Sequence, residues 1–117
     1  MNISKQVLEN RTVRLLDPNF RIDYNKFKTN IHNSPKHEKL KKRILNLLVK
    51  QGYTIICEAR FKQGGIADIL LLHPSLAIEV LCTETMERFE SKSYPVETIA
   101  IKSIKEVKLL LKNKVIE

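Results

Sequence analysis

The chain has 117 residues, 43% of them hydrophobic and 29% charged, with 21 Lys+Arg against 13 Asp+Glu and a formal net charge of +8. That length fits one domain. No apolar run reaches the roughly 18 residues that span a bilayer, and the polar N-terminus lacks the apolar core of an export signal, so the expectation is a cytoplasmic protein without a membrane partner.

Residues 1–33 are predicted as a basic accessory arm. A short helix is expected over residues 3–10 and a strand over residues 12–16, closed by the turn signal Asp17-Pro18-Asn19. Arg11 and Arg14, with Arg21, Lys26 and Lys28, suit this arm for touching DNA or a second subunit. Residues 34–117 form the main domain. Ser34 fits a helix N-cap and Pro35 the first helical position. Leu40, Ile44, Leu47 and Leu48 recur at helical spacing, so one stripe faces a core. Lys36, Lys39, Lys41, Lys42, Arg43 and Lys50 are assigned to the remaining, solvated surface.

Strands are predicted over residues 53–61, 66–73 and 76–83, separated by Lys62-Gln63-Gly64-Gly65 and Pro74-Ser75. Their apolar runs suit strands covered on both faces. A helix over residues 84–93 stops before Pro95, and a strand over 96–101 and a helix over 103–114 close the chain. The order is helix, three strands, helix, strand, helix: an α/β fold around a mixed central sheet.

Two strands each carry one carboxylate among apolar neighbours: Asp68 in Ile66-Ala67-Asp68-Ile69-Leu70, and Glu79 in Ala77-Ile78-Glu79-Val80-Leu81. Burying an unpaired carboxylate costs several kcal/mol, on the order of magnitude that only a counter-charge offsets. If the two strands pair as a hairpin across Pro74-Ser75, the two acids approach on one face. One or two carboxylates, waters and substrate phosphates suit Mg²⁺ or Mn²⁺, and such a metal activates water at a phosphoryl centre. Glu58 and Glu38 are further acids that can join them. The positive charge then suggests the substrate, because it favours a polyanion. Three Tyr, four Phe and no Trp offer no stacking platform for single strands, so duplex phosphates match better. Arg11, Arg14, Lys36, Lys41, Lys42 and Lys62 are the expected DNA-contacting residues. Cys57 and Cys82 read as free packed thiols, and His32, His37 and His73 as ordinary surface or strand-end residues.

The element order, with Glu38, Asp68 and Glu79 in those places, resembles the PD-(D/E)XK nuclease superfamily, which includes restriction endonucleases and archaeal Holliday junction resolvases. The resemblance covers roughly residues 34–103. It implies a restriction endonuclease-like core and an Mg²⁺-dependent endonuclease acting on duplex or branched DNA. It also implies Asp68 and Glu79 as metal ligands, Val80 as a backbone carbonyl ligand, and Glu38 as a supporting acid. The pattern wants a lysine two residues after the second acid, and Leu81 stands there. Lys92 on the following helix is the expected replacement, with Lys62 second. A nuclease fold that binds DNA without cutting it is the alternative. A substrate of two strands favours a homodimer.

Overall fold

A computed structural model describes residues 4–82 and 93–112. Helix α1 (Lys5–Val13) is followed by α2 (Pro35–Lys50), strands β1 (Ile55–Arg60), β2 (Ile66–Leu72), β3 (Ser75–Val80) and β4 (Glu97–Ile101), and helix α3 (Ile104–Lys112). The sheet runs β1-β2-β3-β4. The first two pairings are antiparallel and β3–β4 is parallel, so the sheet is mixed, as expected. No helix among the described residues is long and apolar enough to cross a membrane. The helix expected over residues 84–93, all but its last residue, lies outside the described residues.

Local chemistry sets the helix starts. Ser34 Oγ accepts from the His37 N–H at 3.1 Å, and Ser4 Oγ from the Val7 N–H at 3.3 Å. The expected strand over residues 12–16 does not form. Thr12 and Val13 instead complete α1, and Leu16 makes only a single bridge to Phe61. Tertiary contact overrides the β-branched preference here: the buried Thr12 hydroxyl donates to the Leu72 carbonyl at 2.7 Å.

Apolar side chains lie on both faces of the sheet. On one, Ile44, Leu45 and Leu48 of α2 and Val107 of α3 pack against Ile55, Cys57, Ile69, Leu71, Ile78 and Val80. On the other, Leu16, Phe20 and Ile22 cover Ile56, Ala59, Phe61, Leu70 and Ala77. The basic N-terminal stretch, expected as an accessory arm, thus covers a face of the sheet. It also guards the β1 edge, through bridges Leu16–Phe61 and Tyr24–Ile56.

Side-chain alternation breaks at one level of the sheet. In β1, Ile55 and Cys57 face α2, while Ile56 faces the other cluster together with Ala59 and Phe61. The phase therefore reverses at Glu58, which takes the left-handed backbone conformation, φ +54°. In β2 the reversal falls between Ala67 and Ile69, at Asp68. The register is unshifted across this level, Cys57 with Ile69 and Ala59 with Ala67. A positive φ at a non-glycine residue costs roughly 1–2 kcal/mol. Its result is that two acids turn toward α2.

Candidate functional site

The β2–β3 ladder ends at Ile69–Ile78. At the next level, where Asp68 would pair with Glu79, side chains take over the backbone's hydrogen bonds. The Asp68 N–H donates to Glu79 Oε2 at 3.2 Å, and the Val80 N–H donates to Asp68 Oδ2 at 2.8 Å. The hairpin thus brings the two carboxylates together, though not from a single face. Asp68 turns toward α2, where His37 Nε2 lies 3.5 Å from its Oδ2. Glu79, only 1% exposed, turns to the opposite side and accepts from the Tyr94 hydroxyl. That hydroxyl also lies 2.9 Å from the Ile66 carbonyl, and the Tyr94 ring packs on Phe61 with centroids 5.2 Å apart. The phase reversal at Asp68 is the reason the faces differ.

Helix α2 closes the site with three inward side chains. Lys41 is fully buried. Its Nζ lies 2.9 Å from Glu38 Oε1 and 3.2 Å from Glu58 Oε2, and 5.3 Å above the Phe27 ring. Asn33 Nδ2 donates to Glu38 at 2.7 Å and Asn30 Nδ2 to Glu58 at 2.8 Å. His37 Nδ1 stands 3.7 Å from Glu38 Oε1. These histidine contacts have ion-pair rather than hydrogen-bond geometry. Both ring nitrogens and Glu38 Oε2 are buried without a hydrogen-bond partner among the described residues, a marked exception to the usual satisfaction of buried polar atoms.

The electrostatics follow from this packing. The Asp68 carboxylate beside His37 raises the imidazole above its ordinary 6.5, against burial and the Lys41 charge. Burial is the largest influence on Asp68 and pushes it up. The His37 imidazole beside it and the Val80 N–H donating to its Oδ2 outweigh burial and hold it below 3.8. Burial likewise opposes charge on Lys41, but Glu38 and Glu58 reverse that and keep it an ammonium. Burial raises Glu58, despite Lys41 and Asn30. Burial and the Glu79 carboxylate push the Tyr94 phenol up, so it stays a donor.

The expected site residues separate into groups. Asp68, Glu79, the backbone of Val80, and Glu38 with Glu58 gather at this end of the sheet. Lys92 lies outside the described residues. Arg11, Arg14, Lys36, Lys42 and Lys62 are exposed. The expectation that Lys41 belongs to that solvated set does not hold, because it is the buried counter-ion of two acids. His37, read as an ordinary surface residue, is 4% exposed and stands between Asp68 and Glu38. Tyr94 and Asn30 were not anticipated at all. A sequence signal for the helix was available, since Glu38 with Lys41, and His37 with Lys41, share one face at i,i+3 and i,i+4.

The donor chemistry suits a hard divalent cation, which takes one or two carboxylates and completes its shell with water and phosphate. Glu38 Oε2 is a buried acceptor with no donor among the described residues. Among the described residues, however, no group of three or more His, Cys, Asp or Glu side chains is arranged to hold a metal. The fit thus rests on the Asp68–Glu79 pair. No protein-family model, no curated protein and no solved structure matches the chain.

Proposed function

We propose that this chain is a metal-dependent nucleic-acid phosphodiester hydrolase on a restriction endonuclease-like core, acting on duplex or branched DNA. The observation that carries this reading is the meeting of Asp68 and Glu79 where the β2–β3 ladder stops. Two acids at a break in a sheet, inside a chain of net charge +8, suit an ion that is completed by substrate phosphate. In this reading Asp68 and Glu79 hold Mg²⁺ or Mn²⁺, with the Val80 carbonyl as a third donor. The bound ion would supply Lewis-acid polarisation of the phosphoryl oxygen and an acidified water. The chain's own residues do the rest. Lys41 offsets one of the two charges of Glu38 and Glu58, limiting the negative charge that a phosphate would meet. His37 holds Asp68 ionised. The Tyr94 hydroxyl and the Asp68 N–H orient Glu79. A two-fold dimer would give each strand of a duplex its own site.

A second reading is a nuclease fold that binds DNA without cutting. It is favoured by Leu81, 2% exposed where the superfamily has its lysine, and by the fact that cations or donors of the chain already meet all four acids. One experiment separates the two. Incubation of plasmid and branched DNA with Mn²⁺, beside calorimetric titration of Mn²⁺, is expected to show cleavage and one binding event, both lost in Asp68→Asn. Titration heat that is unchanged in Asp68→Asn removes the metal assignment. Metal binding without cleavage of either DNA selects the second reading.

A further inference from the structure

Resting on the nucleic-acid reading above, we propose that the cleft between the N-terminal half of α2 and the start of α3 seats the phosphodiester backbone of duplex DNA. The cleft has a volume of about 600 Å³. Lys36, Lys39 and Arg43 line it from α2, and Lys102 lines it from the β4–α3 junction. Leu40, Leu81 and Ile104 also line it, and among the described residues no acidic side chain does. All four cations are exposed, and none has an ion pair with a described residue, in contrast to Lys41. The nearby Glu106 carboxylate is occupied by the Lys102 backbone N–H at 2.8 Å.

Like charges around one cleft, with no ion-pair partner among the described residues, repel each other and are relieved by a bound anion. The α2 cations occupy one helical face at i, i+3 and i+7. At about 1.5 Å rise per residue they extend over about 10 Å. A duplex presents a phosphate charge about every 1.7 Å of axis, so this row meets a run of phosphates rather than one. Arg43 adds a planar fork suited to phosphate oxygens. The cleft begins one residue from His37 on α2 and two residues from Glu79 at the end of β3, so a strand seated in it runs past the carboxylate pair. On this assignment the α2–α3 cleft, and not Arg11 and Arg14, is the principal contact.

The test is fluorescence anisotropy of the full chain with a short blunt DNA duplex in EDTA, across a series of salt concentrations. Lys39→Gln/Arg43→Gln is expected to weaken binding on the order of tenfold and to make the slope of log affinity against log salt shallower by about 2. Arg11→Gln/Arg14→Gln should bind close to wild type. Thermal midpoints by circular dichroism should match in all three proteins, because the substituted side chains are exposed. If the cleft variant binds as wild type while the Arg11/Arg14 variant loses affinity, the cleft assignment is overturned and the nucleic-acid reading stands. If wild type ignores the duplex at low salt and instead binds a polyglutamate peptide through the same cleft residues, both fall.

Discussion

Lys41 and Arg43 are two residues apart on α2 and occupy opposite environments. Lys41 is fully buried among Glu38, Glu58 and the Phe27 ring. Arg43, with Lys36 and Lys39, stands exposed on the rim of a cleft, without an ion-pair partner among the described residues. Both are cations on one helix, yet they answer different physical problems. The inward cation makes it tolerable to hold acids within a low-dielectric core. The outward ones leave an electrostatic demand unmet, which is the property a polyanion exploits. Charge on the inner face of α2 therefore acts on stability, and charge on the outer face is proposed to act on binding.

The largest effect should come from breaking the inner face. Lys41→Met keeps bulk and removes the counter-ion, leaving Glu38 and Glu58 opposed in the interior. It should lose about 3 kcal/mol of stability by urea denaturation. A loss within the scatter of surface substitutions would show that the network is not integral to the fold. A smaller effect is expected at Gly65, whose φ is +89° and where an added Cβ would lie 2.8 Å from Tyr94 Cε1. Gly65→Ala should cost about 1–2 kcal/mol and displace Tyr94 from Glu79, read as a change in tyrosine fluorescence. Unaltered stability and fluorescence would refute that packing.

The pH dependence sharpens the comparison further. His37 is raised above 6.5, so its contribution is complete below pH 6.5 and is lost as pH rises through the folded value. Asp68 is lowered below 3.8, so its contribution is present above pH 3.8 and is lost as pH falls through its folded value. Stability in EDTA should therefore decline on both sides of a plateau. His37→Gln should abolish the alkaline decline and weaken the acid one, because His37 is also the main group that holds Asp68 low. A wild-type curve that stays flat well above pH 6.5 would contradict the role given to His37. The smallest effect belongs to the outer face: Lys39→Gln/Arg43→Gln should change stability by less than about 0.5 kcal/mol, and a larger loss would mean that these side chains hold the fold rather than a ligand.

Patterns of short range were legible in the sequence. The period-3.6 stripe of α2, the Ser34 cap, the Gly64-Gly65 turn, and the two strands around Pro74-Ser75 all depend on neighbours within a few residues. The proximity of Asp68 and Glu79 was legible too, because a short turn fixes hairpin register. What the sequence did not disclose depends on contacts across long separations. Nothing local in residues 12–16 marks Thr12 as a helix residue, since its hydroxyl partner is Leu72, 60 positions away. The shared helix face of Lys41 and Glu38 was legible, but the second partner, Glu58, stands 17 positions on and reaches Lys41 only in the fold. The reversal of side-chain phase at Glu58 and Asp68, which assigns Asp68 to His37 and Glu79 to Tyr94, is a backbone event that composition does not signal. The sequence by itself determined the helix of α2, the strands β1 to β3 and the turns between them, and that two acids stand among apolar neighbours, because those properties follow from local sterics and periodicity. Only the tertiary structure decided which charges are buried as partners and which remain open to a ligand, because the free energy of a charge depends on the dielectric and on the groups that folding places around it.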